Sequence, residues 1–164
     1  MQVDTMDIFD ACRKGDLELV RKIYELHPDS IHAEDIKGFT PLILAVYNDN
    51  APVVEFLLAK GAQVDRPDLS GNSALMGVCF KGYKNIAAML IDAGVDVNQR
   101  NSNGATALTF AATFGHLDIA EMLLKKGADI ELRDQRGKSP LDHARLQENE
   151  PMIALIENYM SRNL

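Results

Sequence analysis

The side chains able to do chemistry are few and scattered. Four histidines, His27, His32, His116 and His143, stand in a chain of 164 residues with no His-x-x-x-His or Glu-x-x-His arrangement, so no helix face carries two metal ligands. Gly137-Lys138-Ser139 has the tail of a phosphate-binding loop, but the glycine such a loop needs five residues earlier is Leu132. Asp96-x-Asn98-x-Arg100 begins like a calcium loop, then places Arg100 where an oxygen ligand belongs and has no glycine next. No Gly-x-Ser-x-Gly or Gly-x-Gly-x-x-Gly occurs. The residues thus predict no catalytic group, no metal site and no cofactor, which leaves binding as the chemistry to look for.

Composition narrows the kind of binding. With 17 Lys+Arg against 24 Asp+Glu, the net charge of −7 argues against nucleic acid or an anionic membrane as partner of the whole surface. At 46% hydrophobic and 25% charged residues the chain is neither disordered nor membrane-spanning, and its apolar runs fall well short of a spanning helix. The opening Met-Gln-Val-Asp-Thr-Met-Asp lacks the basic patch and apolar run of a secretory signal, so a cytoplasmic protein is expected, or a nuclear one in a eukaryote, and a monomer with one domain over residues 1–164.

The elements that position these residues are set by a repeat. Gly38, Gly71, Gly104 and Gly137 are spaced by 33 residues. Two places after each stands a hydroxyl residue (Thr40, Ser73, Thr106, Ser139), then leucine (Leu42, Leu75, Leu108, Leu141). Three places before each stands Asp35, Asp68, Asn101 or Asp134. Several independent columns sharing one period mark a repeat array. Asx followed by glycine suits a tight turn, and Thr or Ser is a good helix N-cap. Proline follows at Pro41 and Pro140, the favoured first helical position. A first helix carries Leu108, Ala111 and Ala112 at helical spacing. A second carries Ile119, Met122 and Leu123, and Gly61, Gly94 and Gly127 close the second helices as left-handed C-caps.

No single unit of turn, helix, turn and helix can bury its apolar face, so units must stack and the ends must be capped. The chain divides into an N-capping unit at 5–37, full units at 38–70, 71–103 and 104–136, and a C-capping unit at 137–164. Pro28 replaces the C-cap glycine in the first, which also carries one extra residue before Gly38.

Gly38-Phe-Thr-Pro-Leu-Ile-Leu-Ala and Gly115-His-Leu-Asp-Ile-Ala-Glu-Met-Leu-Leu-Lys-Lys-Gly-Ala-Asp-Ile resemble the ankyrin repeat closely. The resemblance implies an all-α solenoid of stacked helix-turn-helix units with short β-turn tips. Some columns depart from the family pattern. The histidine usual after Thr-Pro-Leu is Ile43, Met76, Thr109 or Asp142, so its hydrogen bonds should be lost in every unit. Asp49-Asn50 and Gly82-Tyr83 stand where Gly115-His116 keeps the family pair, and Gly77 lies mid-helix at a cost of about 1 kcal/mol relative to alanine. The first and second full units are therefore expected to be the softer ones. Cys12 and Cys79 fall in the small-residue column of units two steps apart, roughly 20 Å at stacked-helix spacing, and should be buried, reduced thiols. Asn98 lies in a context similar to that of hydroxylated asparagines in animal ankyrin proteins, although an unmodified turn asparagine explains it as well.

In this family the turn tips and the end of the first helix line a concave groove that binds partners. That register places Lys37, Phe39, Tyr47, Asn48, Leu69, Asn72, Phe80, Lys81, Phe114, Arg136 and Lys138 there, beside Arg13, Lys14, Ile36 and Ala105. These residues include six cations and no carboxylate, and their four aromatics fall in neighbouring units. Aromatics flanked by cations make an interface hot spot, and the charge contrast would steer an acidic segment in. The resemblance thus implies an adaptor or inhibitor binding another protein's acidic and apolar segment. One alternative is a small-ligand, nucleotide or anion site in the same groove; another is that Phe80 and Phe114 simply pack back onto the core.

Overall fold

In the computed structural model, which describes residues 7–162, ten α-helices and one 3-10 turn follow one another without a strand. They are α1 (Asp7–Lys14), α2 (Leu17–Leu26), the 3-10 turn Pro28–His32, α3 (Pro41–Tyr47), α4 (Ala51–Ala59), α5 (Ala74–Lys81), α6 (Lys84–Asp92), α7 (Ala107–Phe114), α8 (Leu117–Lys125), α9 (Pro140–Leu146) and α10 (Glu150–Arg162). The expected terminal positions Thr5, Met6, Asn163 and Leu164 lie outside the described residues.

The hydroxyl column starts the first helices. Thr40, Ser73, Thr106 and Ser139 hold extended backbone, and each side chain accepts the N–H three residues on. The lost histidine column is repaired in two units, which corrects the expectation that its hydrogen bonds vanish throughout. Thr109 Oγ1 accepts the Thr106 N–H at 3.0 Å, and Asp142 Oδ2 accepts the Ser139 N–H at 2.9 Å, so both helices begin with a capping box. In the other two, Ile43 and Met76 are buried and contribute apolar packing instead. Helices α5 and α7 end in left-handed Gly82 and Gly115, whereas after α3 the left-handed residue is Asp49. The extra residue before Gly38 is absorbed by the 3-10 turn, which buries Ser30 and Ile31.

Helices α1, α3, α5, α7 and α9 form one row and α2, α4, α6, α8 and α10 a second, with contacts running between neighbouring units. Small side chains let the first row approach closely: Ala11 and Cys12, Ala45 and Val46, Val78 and Cys79, Ala111 and Ala112, then Ala144, are all buried. One apolar cluster runs from Ile8 to Ile156. Both cysteines are free and buried; burial pushes the Cys12 thiol up to about 12 and raises that of Cys79 as well.

The turns repeat with equal regularity. Oδ1 of Asp35 accepts the N–H groups of Lys37 and Phe39, and Asp68, Asn101 and Asp134 do the same in their own turns. Successive turns are stitched by the N–H groups of Leu69, Ser102 and Gln135, which donate to the carbonyls of Lys37, Ser70 and Asn103. Glycine is required at Gly38 twice over. Its φ is +79°, and a methyl there would stand 2.8 Å from Leu69 N and 3.1 Å from Leu69 Cγ of the next turn.

Candidate functional site

The ends of the first helices bring three rings of neighbouring units side by side. Tyr47 and Phe80 occupy the same repeat column, and their centroids are 6.4 Å apart. Phe80 meets Phe114 edge-on at 4.8 Å, and Phe114 stacks on Phe110 at 6.4 Å. Tyr47, Phe80 and Phe114 stay 37%, 40% and 46% exposed, so they do not fold back into the core. Lys81 Nζ stands 5.5 Å over the Tyr47 ring. Burial, with the Asp68 carboxylate nearby, raises the Tyr47 hydroxyl above its ordinary value.

Phe110 was not anticipated from the sequence. It lies mid-helix in a column with Leu44, Gly77 and His143, which the repeat register assigns to the helix body rather than to its exposed end. The signal was Gly77. A methyl there would meet Tyr47 Cε2 at 2.9 Å and Cδ2 at 3.0 Å, so the absent side chain makes room for the ring. Gly77 is thus a packing feature of the groove as well as a helix-propensity cost.

The remaining expected residues divide. Ile36, Lys37, Leu69, Lys81, Arg136 and Lys138 are exposed. Phe39 is half-buried against the core and, with Arg13, Ile36, Lys37 and Leu44, borders a hollow of about 580 Å³. Asn48 donates to the Leu44 carbonyl at 2.8 Å and Asn72 accepts from Asn101 Nδ2 at 2.8 Å, so both are engaged within the array. Ala105 is buried, which removes it from the surface.

The absence of carboxylates needs correction too. Asp35 pairs with Arg13 at 3.7 Å, Asp10 with Lys14 at 2.9 Å, and Asp68 lies beside Tyr47. Asp35 and Asp68 belong to the turn column and Asp10 to the body of α1, so none of them stands at a tip. Among the described residues, Lys37, Lys81, Arg136 and Lys138 form no ion pair.

Between the last two units the groove closes on a hollow of about 350 Å³, walled by Phe110, Thr113, Phe114, Asn103, Gln135 and His143. His143 Nε2 is 2.8 Å from Asp134 Oδ2. Burial of Asp134 pushes its carboxyl up, but hydrogen bonds from the Lys138 N–H, His143 and the Arg136 N–H outweigh this and leave it lower than usual. His116 Nε2 lies 3.1 Å from the Phe80 carbonyl, and His27 and His32 are exposed. On the opposite edge, Asn98 Oδ1 accepts the Asp129 N–H at 2.7 Å and its Nδ2 donates to the Gly127 carbonyl at 3.3 Å, joining two units.

Helix pairs stacked in register on Asx–Gly turns, with a 33-residue period, match a known family model: ankyrin repeats (3 copies) over residues 8–101, and ankyrin repeats (many copies) over 90–144. The chain belongs to the ankyrin repeat family. Similar curated proteins include BTB/POZ domain-containing protein 3 of Schizosaccharomyces pombe, 38% identical over 72 residues, or 44% of this chain and 14% of that protein. Mouse ankyrin repeat and SAM domain-containing protein 6 is 37% identical over 79 residues, 48% of this chain and 9% of that one. Zebrafish putative palmitoyltransferase ZDHHC13 is 41% identical over 66 residues, 40% of this chain and 10% of that one. The chain therefore spans a seventh or less of these relatives' length. Ankyrin repeats are generally protein–protein interaction modules, and the fold is typically non-enzymatic. Among the described residues no helix is long and apolar enough to cross a membrane.

Proposed function

We propose that this ankyrin repeat protein is a non-enzymatic adaptor or inhibitor, working as a cytoplasmic monomer, that holds an acidic and apolar segment of a partner protein in its groove. The observation behind this reading is the row Tyr47–Phe80–Phe114, partly exposed across three units, with the partly buried Phe110 stacked on Phe114 and cations without carboxylate partners nearby. A ladder of this kind offers large apolar area at low conformational cost, because each ring is already braced by its neighbour. The unpaired Lys37, Lys81, Arg136 and Lys138 oppose the net charge of −7 of the whole chain and favour an acidic ligand at the groove over any other face.

The test is affinity capture from native lysate with the wild type beside Tyr47→Ala, Phe80→Ala, Phe114→Ala combined with Lys81→Glu, helicity being checked first. A protein recovered by the wild type and lost by the variant is the expected outcome. A partner retained by both would place the site elsewhere. Specific thermal stabilisation by nucleotides beyond the effect of salt would replace the protein partner by a small ligand.

A further inference from the structure

The outermost residues of the four turns form a row whose character changes along the array. Ile36, Leu69, Ser102 and Gln135 occupy one column, so the row is apolar over the first two turns and polar over the last two. The apolar pair is open to solvent: Ile36 is 93% and Leu69 74% exposed, the most exposed large hydrophobics among the described residues. Turn-to-turn hydrogen bonds hold these tips in line. Leu69 N–H donates to the Lys37 carbonyl at 3.1 Å, so its side chain rests over Gly38 and cannot withdraw into the core.

Charge changes along the same row. In the first two turns three cations, Arg13, Lys37 and Arg66, equal in number the carboxylates Glu34, Asp35 and Asp68; Arg66 pairs with Glu34 at 2.6 Å and Arg13 with Asp35 at 3.7 Å, and Lys37 is unpaired. The last two turns carry Arg100, Arg133, Arg136 and Lys138 against Asp134 and Asp142. Arg133 takes Asp142 at 3.0 Å and His143 takes Asp134 at 2.8 Å. Arg100 is held by the carbonyls of Gly104 and Arg133, which leave its charge uncompensated. The row therefore runs from an apolar, charge-balanced end to a polar end with excess positive charge.

Resting on the groove reading above, we infer that the turn tips impose one register on the bound partner segment, with apolar side chains over Ile36 and Leu69 and carboxylates over Arg136 and Lys138. The stack sets the separation of the two anchors. Two to three unit steps of roughly 8–10 Å correspond to about 5–9 residues of extended chain. Reversing the segment places carboxylates on exposed aliphatic tips and apolar groups on strongly hydrated cations, which loses both contributions.

The test selects a displayed library of random peptides of about sixteen residues on the immobilised full chain. The wild type is expected to enrich peptides with an apolar cluster and an acidic cluster about 5–9 residues apart. Arg136→Glu with Lys138→Glu should convert the acidic end to a basic one and leave the apolar end alone. Ile36→Ser with Leu69→Ser should erase the apolar preference, keep the acidic one, and weaken a wild-type-selected peptide by about tenfold. Peptides insensitive to all four tip substitutions but lost on Tyr47→Ala, Phe80→Ala, Phe114→Ala would overturn the register and leave the groove standing. Purely acidic peptides with no apolar end, or tip-dependent displacement by an oligonucleotide of like charge, would overturn it as well. No enrichment on the wild type would remove both readings.

Discussion

Gly77 and Tyr47 show how a single position can serve two units. Alanine in place of a buried mid-helix glycine is worth about 1 kcal/mol in helix propensity. Here the added methyl would stand within 3.0 Å of the Tyr47 ring, which is anchored by Phe80 and Lys81. Gly77→Ala is therefore expected to stabilise a Tyr47→Ala background by about 1 kcal/mol and to give no gain in the wild type, as read by urea denaturation of the four proteins of the cycle. Equal gains in both backgrounds would mean that the ring does not need the space. Asp134 makes a different point. Its carboxyl is lower than usual in the folded chain, so its stabilisation is complete above the ordinary carboxylate value and is lost as pH falls through the folded one. Asn101 plays the same turn role without a charge, so Asp134→Asn keeps both backbone bonds. The wild type's advantage over Asp134→Asn, measured as urea midpoints at pH 6 and pH 3, should shrink at the lower pH. A constant difference would show that the ionised form is not preferred by the fold.

At the scale of elements, the first helices α1 and α5 are each tied at their ends by a side chain of the unit that follows. Asn50, just before α4, donates to the carbonyls of Cys12 at 2.7 Å and Arg13 at 3.0 Å at the end of α1. His116 reaches the Phe80 carbonyl at the end of α5 in the same way. Asparagine and histidine are interchangeable in this task because each needs only a polar group at side-chain length to satisfy an orphan carbonyl. This weakens the expectation that the first full unit is soft, since Asn50 supplies the link that the family histidine would. Asn50→Ala should cost about 1–2 kcal/mol for two lost bonds and speed amide exchange at the end of α1 before α6 or α8 is affected. Uniform exchange across the chain would contradict that local role.

For the whole molecule, contacts between neighbouring units imply that stability is a sum of units and interfaces. Ile156 in α10 and Leu75 in α5 are both buried, one at the end of the stack and one near its centre. Ile156→Ala should raise hydrogen exchange over residues 140–162 and leave 41–92 near wild-type values. Leu75→Ala, a cavity of about 2–5 kcal/mol, should loosen units on both sides of it. If both substitutions raised exchange everywhere alike, the array would be a single cooperative block.

The period of 33, the capping hydroxyls and the Asx–Gly turns were enough to specify the fold from the chain alone, because each acts over a few residues and repeats four times in register. They also located Tyr47, Phe80 and Phe114 at the ends of first helices, since column position follows from counting. What counting could not supply was the side-chain partnership between units. Phe110 and Phe39 both pack against the core, yet only Phe110 also stacks on a ladder ring, Arg13 is neutralised by Asp35 while Lys37 stays unpaired, and Asn50 takes over a histidine's work. The Arg13–Asp35 and Asn50–Cys12 contacts join residues of different units across a stacking interface, whereas Phe110 meets Phe114 within α7. The spacing of that interface and the direction of each side chain are decided by packing, and a column of letters carries neither.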